Sequence, residues 1–243
     1  MKSVLITGAN RGIGFETAKQ MAALGYFVYL GSRDKEKGEN AVQHLNEMGY
    51  SNTAFLQLDI SDSASIEGAR IELEGKIGAL DVLINNAGIL GDMPQDPSTT
   101  SIENYRKVFQ TNVFGTIEVT QQFLGLLKKS DAPIIVYVSS EVGSLSDNAD
   151  PNWFKYDAVK PFFAVYGASK STINAFTIAL AYELRNTKFK INSVTPGHTA
   201  TEFNNYKGTK TVEEGAKPIV RFATLPDDGV SGKFYGEEGE INW

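Results

Sequence analysis

Tyr166 and Lys170 stand four positions apart in Tyr166-Gly-Ala-Ser-Lys170. On a helix, side chains at that spacing lie on one face. A tyrosine phenol titrates near pH 10 (about 10 in model compounds). A neighbouring ammonium stabilises the phenolate, so the pair predicts a phenol with a lowered pKa, able to exchange a proton near neutrality. Such pairs also arise by chance on many helices, so the surrounding residues decide. A second constellation opens the chain: Gly8-Ala-Asn10-Arg11-Gly12-Ile13-Gly14. Ser3 to Ile6 read as an apolar strand, and the glycines break it. Ile13, Thr17, Met21 and Leu24 then recur on one helical face. A strand, a glycine turn and a helix start in that order cradle a phosphate. Backbone N–H groups can approach it closely, and the helix end adds partial positive charge. The spacing Gly8-x3-Gly12-x-Gly14 departs from the common G-x-G-x-x-G fingerprint, and three glycines also suit an ordinary strand–helix turn.

Gly31-Ser32-Arg33-Asp34 follows the second apolar run. About 20 residues past a glycine turn, an acid would accept from the ribose 2′-OH of NAD. Here Ser32 and Arg33 hold the place. A guanidinium suits a 2′-phosphate, being permanently charged and presenting a planar fork of donors. Arg11 supplies a second positive charge for the same group. The alternative is that both arginines are solvated and Asp34 takes the ribose.

These residues need elements to position them. The pattern alternates: strands at Ser3–Ile6, Phe27–Leu30, Ala54–Leu58, Val82–Ile84, Pro133–Val138 and Ile191–Val194, with a weaker one at Lys233–Tyr235. Between them, helices are predicted over Asp34–Met48, from a Ser61 N-cap through Ile66 and Ile71, over about Ile102–Lys129, and over Tyr166–Arg185. Apolar strands spaced by helices imply parallel pairing, right-handed crossovers and helices on both faces. The predicted fold class is α/β, a doubly wound parallel sheet in one domain over residues 1–243. In such sheets ligands bind beyond the carboxyl ends of the strands.

The totals narrow the function classes. The chain has 243 residues and no Cys, which excludes disulfides and thiolate chemistry. Its formal charge of −6 argues against nucleic acid or an anionic membrane as partner. His44 and His198 are too few and too far apart to suggest a metal site. No apolar run reaches the length of a membrane span, and the first strand begins at once, so a cytoplasmic location is expected.

Taken in order, the motifs resemble those of the short-chain dehydrogenase/reductase family. They are the TGxxxGxG turn, Asn85-Asn86-Ala87-Gly88 after strand four, Ser139-Ser140 after strand five, YxxxK, and Pro196-Gly197-His-Thr199-Ala-Thr201 after strand six. The resemblance spans essentially the whole chain and implies a Rossmann fold. It also implies a catalytic tetrad of Asn112, Ser140, Tyr166 and Lys170, with Ser140 rather than Ser139 as the serine. By the same resemblance the cofactor is NADPH/NADP+. Gly8, Asn10, Arg11, Gly12, Ile13 and Gly14 cradle it. Ser32 and Arg33 meet the 2′-phosphate, and Asp59 and Ile60 the adenine. Asn86, Ala87 and Gly88 lie under the ribose, while Tyr166 and Lys170 also bind cofactor. Pro196, Gly197, Thr199 and Thr201 grip the carboxamide, Thr199 standing where the family usually has Val or Ile.

The implied activity is reversible reduction of a ketone or aldehyde, with Tyr166 donating the proton, Ser140 orienting the oxygen and Asn112 holding a relay water. Ser140 and Tyr166 are 26 positions apart, further than is usual in the family. Residues 151–163 of that insertion (141–165) carry five aromatics, so the segment is expected to wall a pocket for a bulky or aromatic carbonyl substrate. An interface or private core is the alternative use. The family forms dimers and tetramers, and long insertions accompany monomers. Two rival functions remain: a non-catalytic NADP(H)-binding redox sensor and a sugar-nucleotide epimerase-like enzyme. A hydrolase has no G-x-S-x-G elbow to rest on.

Overall fold

Val, Ile and Leu dominate the short apolar runs, and a strand made of them is comfortable only where both faces are covered. The computed structural model describes residues 1–152 and 163–243, and it shows such strands throughout. In chain order they are β1 (Ser3–Thr7), β2 (Phe27–Ser32), β3 (Thr53–Gln57), β4 (Val82–Asn85), β5 (Ile134–Val138), β6 (Lys190–Val194) and β7 (Lys233–Tyr235). They pair in parallel, in the order β3-β2-β1-β4-β5-β6-β7. The order reverses between β1 and β4, and the sheet's crevice opens there. The chain adopts the doubly wound Rossmann fold that the strand–helix alternation predicts.

The helices are α1 (Gly12–Ala23), α2 (Lys35–Glu47), α3 (Ser63–Glu74), α4 (Ile102–Phe109), α5 (Thr116–Leu127), α6 (Leu145–Ala149), α7 (Ala164–Glu183) and α8 (Val212–Ala223). Because side chains alternate along a strand, the sheet divides its apolar residues between two cores. Leu5, Tyr29, Leu56, Ile135, Tyr137 and Ile191 face α3, α5 and α7. Val4, Ile6, Val28, Leu30, Ile84 and Val136 face α1, α2 and α8.

Three details differ from the sequence expectations. The N-cap of α3 is Asp62, whose carboxylate accepts from the Ala64 N–H; the Ser61 hydroxyl instead donates to Asp59. Leu24 is exposed, because α1 ends at Ala23 and leaves it as the C-cap. The long helix expected between residues 102 and 129 runs from Ile102 to Leu127 but widens into a π-helical turn at Gln110–Gly115. Among the described residues no helix is long and apolar enough to cross a membrane. Trp153 to Phe162, most of the aromatic insertion, lie outside the described residues.

Candidate active site

The glycine turn leaves β1 and enters α1. Gly8 and Gly12 adopt φ of 65° and 57°, a region costly for a residue with a Cβ. Close packing adds to the demand at Gly14, where a Cβ would lie 2.4 Å from the Gly8 carbonyl oxygen. Thr7, at the end of β1, accepts from the N–H groups of both Asn86 and Ala87 through its hydroxyl, each at 3.0 Å. The Asn86 amide returns a bond to the Thr7 carbonyl at 2.9 Å and one to Gly8 at 3.2 Å. Turn and post-β4 loop are therefore one braced unit. At the start of α1, Arg11 offers no side-chain cap, and the first turn carries no acid. Its free N–H groups and positive end face the crevice.

A cavity of 1620 Å³ runs from this turn along the carboxyl ends of the strands. Every residue that the sequence predicts for the site borders it except Ser32 and Asn112. Ser32 is buried and donates to the Asp34 carbonyl, so only Arg33 of that pair reaches the cavity. Asp34 does not take the ribose position. Its carboxylate caps α2 through the Lys37 N–H at 3.1 Å, which together with the Lys37 ammonium holds it below the usual carboxylate range. Arg11 borders the cavity but is ion-paired with Glu202 across its mouth, both side chains being largely exposed. Asp59 accepts from the Ser61 N–H and hydroxyl, at 2.9 and 2.7 Å. Ile60 is buried beside it. Thr199 is folded on itself: its hydroxyl reaches the Pro196 carbonyl, its N–H the Gly197 carbonyl, and its own carbonyl accepts from Asn204. Thr201 caps a short 3-10 turn, Glu202–Asn204.

At the other end Ser140, Tyr166 and Lys170 converge. The two serines after β5 have opposite fates. Ser139 is buried and donates to the Asn174 carboxamide oxygen at 2.7 Å. Ser140 borders the cavity beside Tyr166. Lys170 is buried, and its ammonium donates to the Val138 carbonyl at 2.7 Å while lying 5.5 Å from the centre of the Tyr166 ring. Burial pulls this ammonium down to about 8 from its ordinary 10.5. Burial also pushes the Tyr166 phenol up, against the smaller opposing effect of the neighbouring Ser140 hydroxyl. The lowered phenol pKa expected from the YxxxK spacing is thus reversed in the protein alone. The ammonium spends its hydrogen bond on a backbone carbonyl, and desolvation outweighs its field.

Asn112 occupies the π-helical turn. Its carboxamide oxygen accepts from the Ile89 N–H at 2.8 Å, and its amide donates to the Ile89 carbonyl at 2.9 Å and to Ser169 at 3.1 Å. Ser169 in turn donates to the Tyr166 carbonyl at 2.7 Å. The Asn112 side chain is a clamp between the post-β4 loop and α7.

Three neighbours were invisible to motif reading: Glu202, Gln95 and Phe203. The Phe203 ring lies 5.6 Å from that of Tyr166, and Phe163 packs on the same ring at 6.4 Å. Phe163, Glu141, Val142 and Asp147 of the insertion border the cavity. No sequence signal marks Phe203, whereas Thr7 is the threonine that opens the TGxxxGxG turn. Glu202 follows directly on the family-like Pro196–Thr201 segment, and that adjacency was the available hint.

The donor set and shape fit a dinucleotide: a glycine cradle that a Cβ would fill, an uncapped helix N-terminus and an exposed Arg33 along one long cavity. Residues 2–211 match the family model of the short chain dehydrogenase. The chain is 40% identical to the short-chain dehydrogenase anuI of Penicillium roqueforti, over 91% of this chain and 88% of that one. The solved structure of salutaridine reductase from Papaver somniferum superposes with a TM-score of 0.84 at 32% identity, covering 97% of this chain and 99% of that one. A short-chain dehydrogenase from Escherichia coli, solved complexed with NADPH, gives 0.83 at 27% identity, covering 97% and 95%. With a family-model match over most of its length and relatives aligned nearly end to end, this chain belongs to the short-chain dehydrogenase/reductase family of oxidoreductases.

Proposed function

We propose that the protein is an NADPH-dependent carbonyl reductase, reducing a bulky or aromatic ketone or aldehyde reversibly to the alcohol. The observation that carries this is the convergence of Ser140, Tyr166 and Lys170 at one end of a cavity whose other end is the glycine turn. When bound, the reduced nicotinamide supplies the hydride. The glycine turn and the N-terminus of α1 hold its pyrophosphate, and Arg33 holds the 2′-phosphate. Arg11 joins Arg33 by exchanging Glu202 for that phosphate. An exposed ion pair is worth only about 0–1 kcal/mol, so the exchange costs little.

Tyr166 gives its phenolic proton to the substrate oxygen, and Ser140 hydrogen-bonds the same oxygen and orients it. The upward-shifted phenol suits this direction, because a donor must be protonated and Tyr166 stays so across the neutral range. Lys170 holds the end of β5 and the ribose, and its charge eases loss of the proton. Asn112 fixes the loop beneath the cofactor. Leu90, Met93, Val142, Phe163, Phe203 and Tyr206 line the cavity with apolar surface, which suits a flat or bulky substrate. Similarity to a protein named salutaridine reductase supports the reductive direction.

The test is NADPH and NADH oxidation against a panel of ketones, aldehydes and quinones. NADPH should be consumed with cyclic or aromatic ketones, at least about tenfold better than NADH, a difference of about 1.4 kcal/mol. Arg33→Asp should reverse or erase that preference by removing a charge-assisted contact and adding a repulsion. Tight NADPH binding with no carbonyl reduced would favour the redox-sensor alternative. An unmoved cofactor preference in Arg33→Asp would remove Arg33 from the 2′-phosphate site.

A further inference from the structure

We propose that Gln95 is a positioning residue that sets where Tyr166 stands against the cofactor-side loop. The proposal rests on the reading of Tyr166 as proton donor. A helix begins with N–H groups that have no partner within it, and Ser, Thr, Asp or Asn at the N-cap normally accepts from them. Helix α7 has Phe163 at its N-cap, no side-chain cap and no acid in its first turn. Its start is capped from elsewhere in the chain. The Gln95 carboxamide oxygen, about 70 residues upstream, accepts from the Val165 N–H at 3.1 Å and from the Tyr166 N–H at 2.9 Å. The same side chain donates from its amide nitrogen to the Leu90 carbonyl at 2.7 Å. Gln95 has no exposed surface, so these bonds are made without competition from water.

Leu90 borders the cavity, and its neighbour Ile89 is gripped on both sides by Asn112. Tyr166 is therefore held at both ends of its own backbone unit. Gln95 holds the N–H, and Ser169, itself bonded to Asn112, holds the carbonyl. Each brace leads back to the loop that carries Asn86 to Leu90. Removing Gln95 frees two buried N–H groups at the first turn of α7, and the turn must shift to find new partners. The phenol lies at the far end of a long side chain, so a small rotation of that turn moves it by more. Proton transfer tolerates little displacement, since a misplacement of about 1 Å can cost on the order of 100-fold in rate. The glycine turn and Arg33 are untouched by the same change.

The experiment uses the full chain with NADPH and the best carbonyl substrate of the panel. It compares Gln95→Leu, Gln95→Glu and Tyr166→Phe, with rates expressed per folded molecule. Gln95→Glu keeps an acceptor for the Val165 and Tyr166 N–H groups, where a helix N-terminus favours negative charge, and loses only the donor to Leu90. The expected result for Gln95→Leu is a loss in kcat of roughly 10- to 100-fold, on the positional sensitivity of proton transfer, with NADPH Kd changed by less than about threefold. Gln95→Glu should recover most of that loss. A Gln95→Leu variant that turns over like the unmodified protein would overturn the proposal, as would a Gln95→Glu variant no better than Gln95→Leu. Should Gln95→Leu fail to fold, Gln95→Glu alone decides: near-normal kcat supports the role, and a loss in kcat as deep as that of Tyr166→Phe overturns it. If Tyr166→Phe itself keeps the rate, the proton-donor reading falls first and this proposal falls with it. If Tyr166→Phe is inactive and Gln95→Leu is not, only the positioning role is lost.

Discussion

Lys170 is a buried ammonium whose environment disfavours its own charge, and that has a consequence for stability. Its pKa falls from 10.5 in a solvated chain to about 8 in the folded protein. Between those values the unfolded chain binds more protons than the folded one, so stability rises with pH through the window from about 8 to 10.5. The charged side chain costs the cofactor-free protein on the order of 3 kcal/mol below that window. Relative to Lys170→Met, the unmodified protein without cofactor should therefore gain stability between pH 8 and 10, as read by urea midpoints. Parallel pH curves for the two would show that Lys170 is not strained by burial. Tyr166 has the opposite sign: its raised pKa makes stability fall from about pH 10 upward, at the top edge of the window. Residue types and spacing gave Tyr166 and Lys170 as a pair, and the structure brings them to one cavity wall. They pointed to the opposite direction for the Tyr166 shift. The direction depends on how much water reaches the hydroxyl and on the Lys170 bond to Val138, neither of which a one-dimensional pattern contains. Gln95 was equally hidden, because a cap delivered from 70 positions away leaves no local signature.

Among the elements, the strands and the helices through α5 were legible because Val, Ile and Leu runs alternate with polar-faced segments. Helix α8 was not foreseen. It carries a capping box, in which Thr211 accepts from the Glu214 N–H and Glu214 accepts from the Thr211 N–H. The pattern Thr211-Val-Glu-Glu214 was the available signal. Pro218 masked it, since a proline inside a helix removes a hydrogen bond and normally ends the helix. Burial overrides that penalty: Ile219, Phe222 and Ala223 pack into the core under α1, and the Phe222 ring lies 4.7 Å from that of Tyr235. Phe222→Ala should cost about 3–5 kcal/mol through lost burial and the cavity left behind, while Thr211→Ala should cost only about 1 kcal/mol. Chemical denaturation of both variants measures the difference. Equal costs would mean that α8 is held by its cap rather than by its apolar face. The π-helical turn at Gln110–Gly115 was also illegible, because its sequence suits an α-helix and its extra residue makes sense only with Asn112 reaching Ile89.

At the scale of the whole molecule, the strand–helix alternation was enough to predict a parallel sheet, and a parallel sheet whose order reverses between β1 and β4 fixes where a ligand can sit. The glycine turn, Arg33, the Asn86–Gly88 loop, Ser140 and the Pro196–Thr201 segment lie far apart in sequence. They meet because each follows the carboxyl end of a strand. Topology turns a list of motifs into one cavity, and α7 carries Tyr166 and Lys170 to its far end. The proposed reduction depends on that phenol. The most direct measurement is single-turnover reduction of a ketone by NADPH in Tyr166→Phe, with NADPH affinity determined on the same sample. General acid catalysis by one side chain is worth about 100- to 10,000-fold, so a loss of that size with NADPH affinity nearly unchanged is the predicted result. Retention of most of the rate, with the cofactor bound as before, would contradict the account.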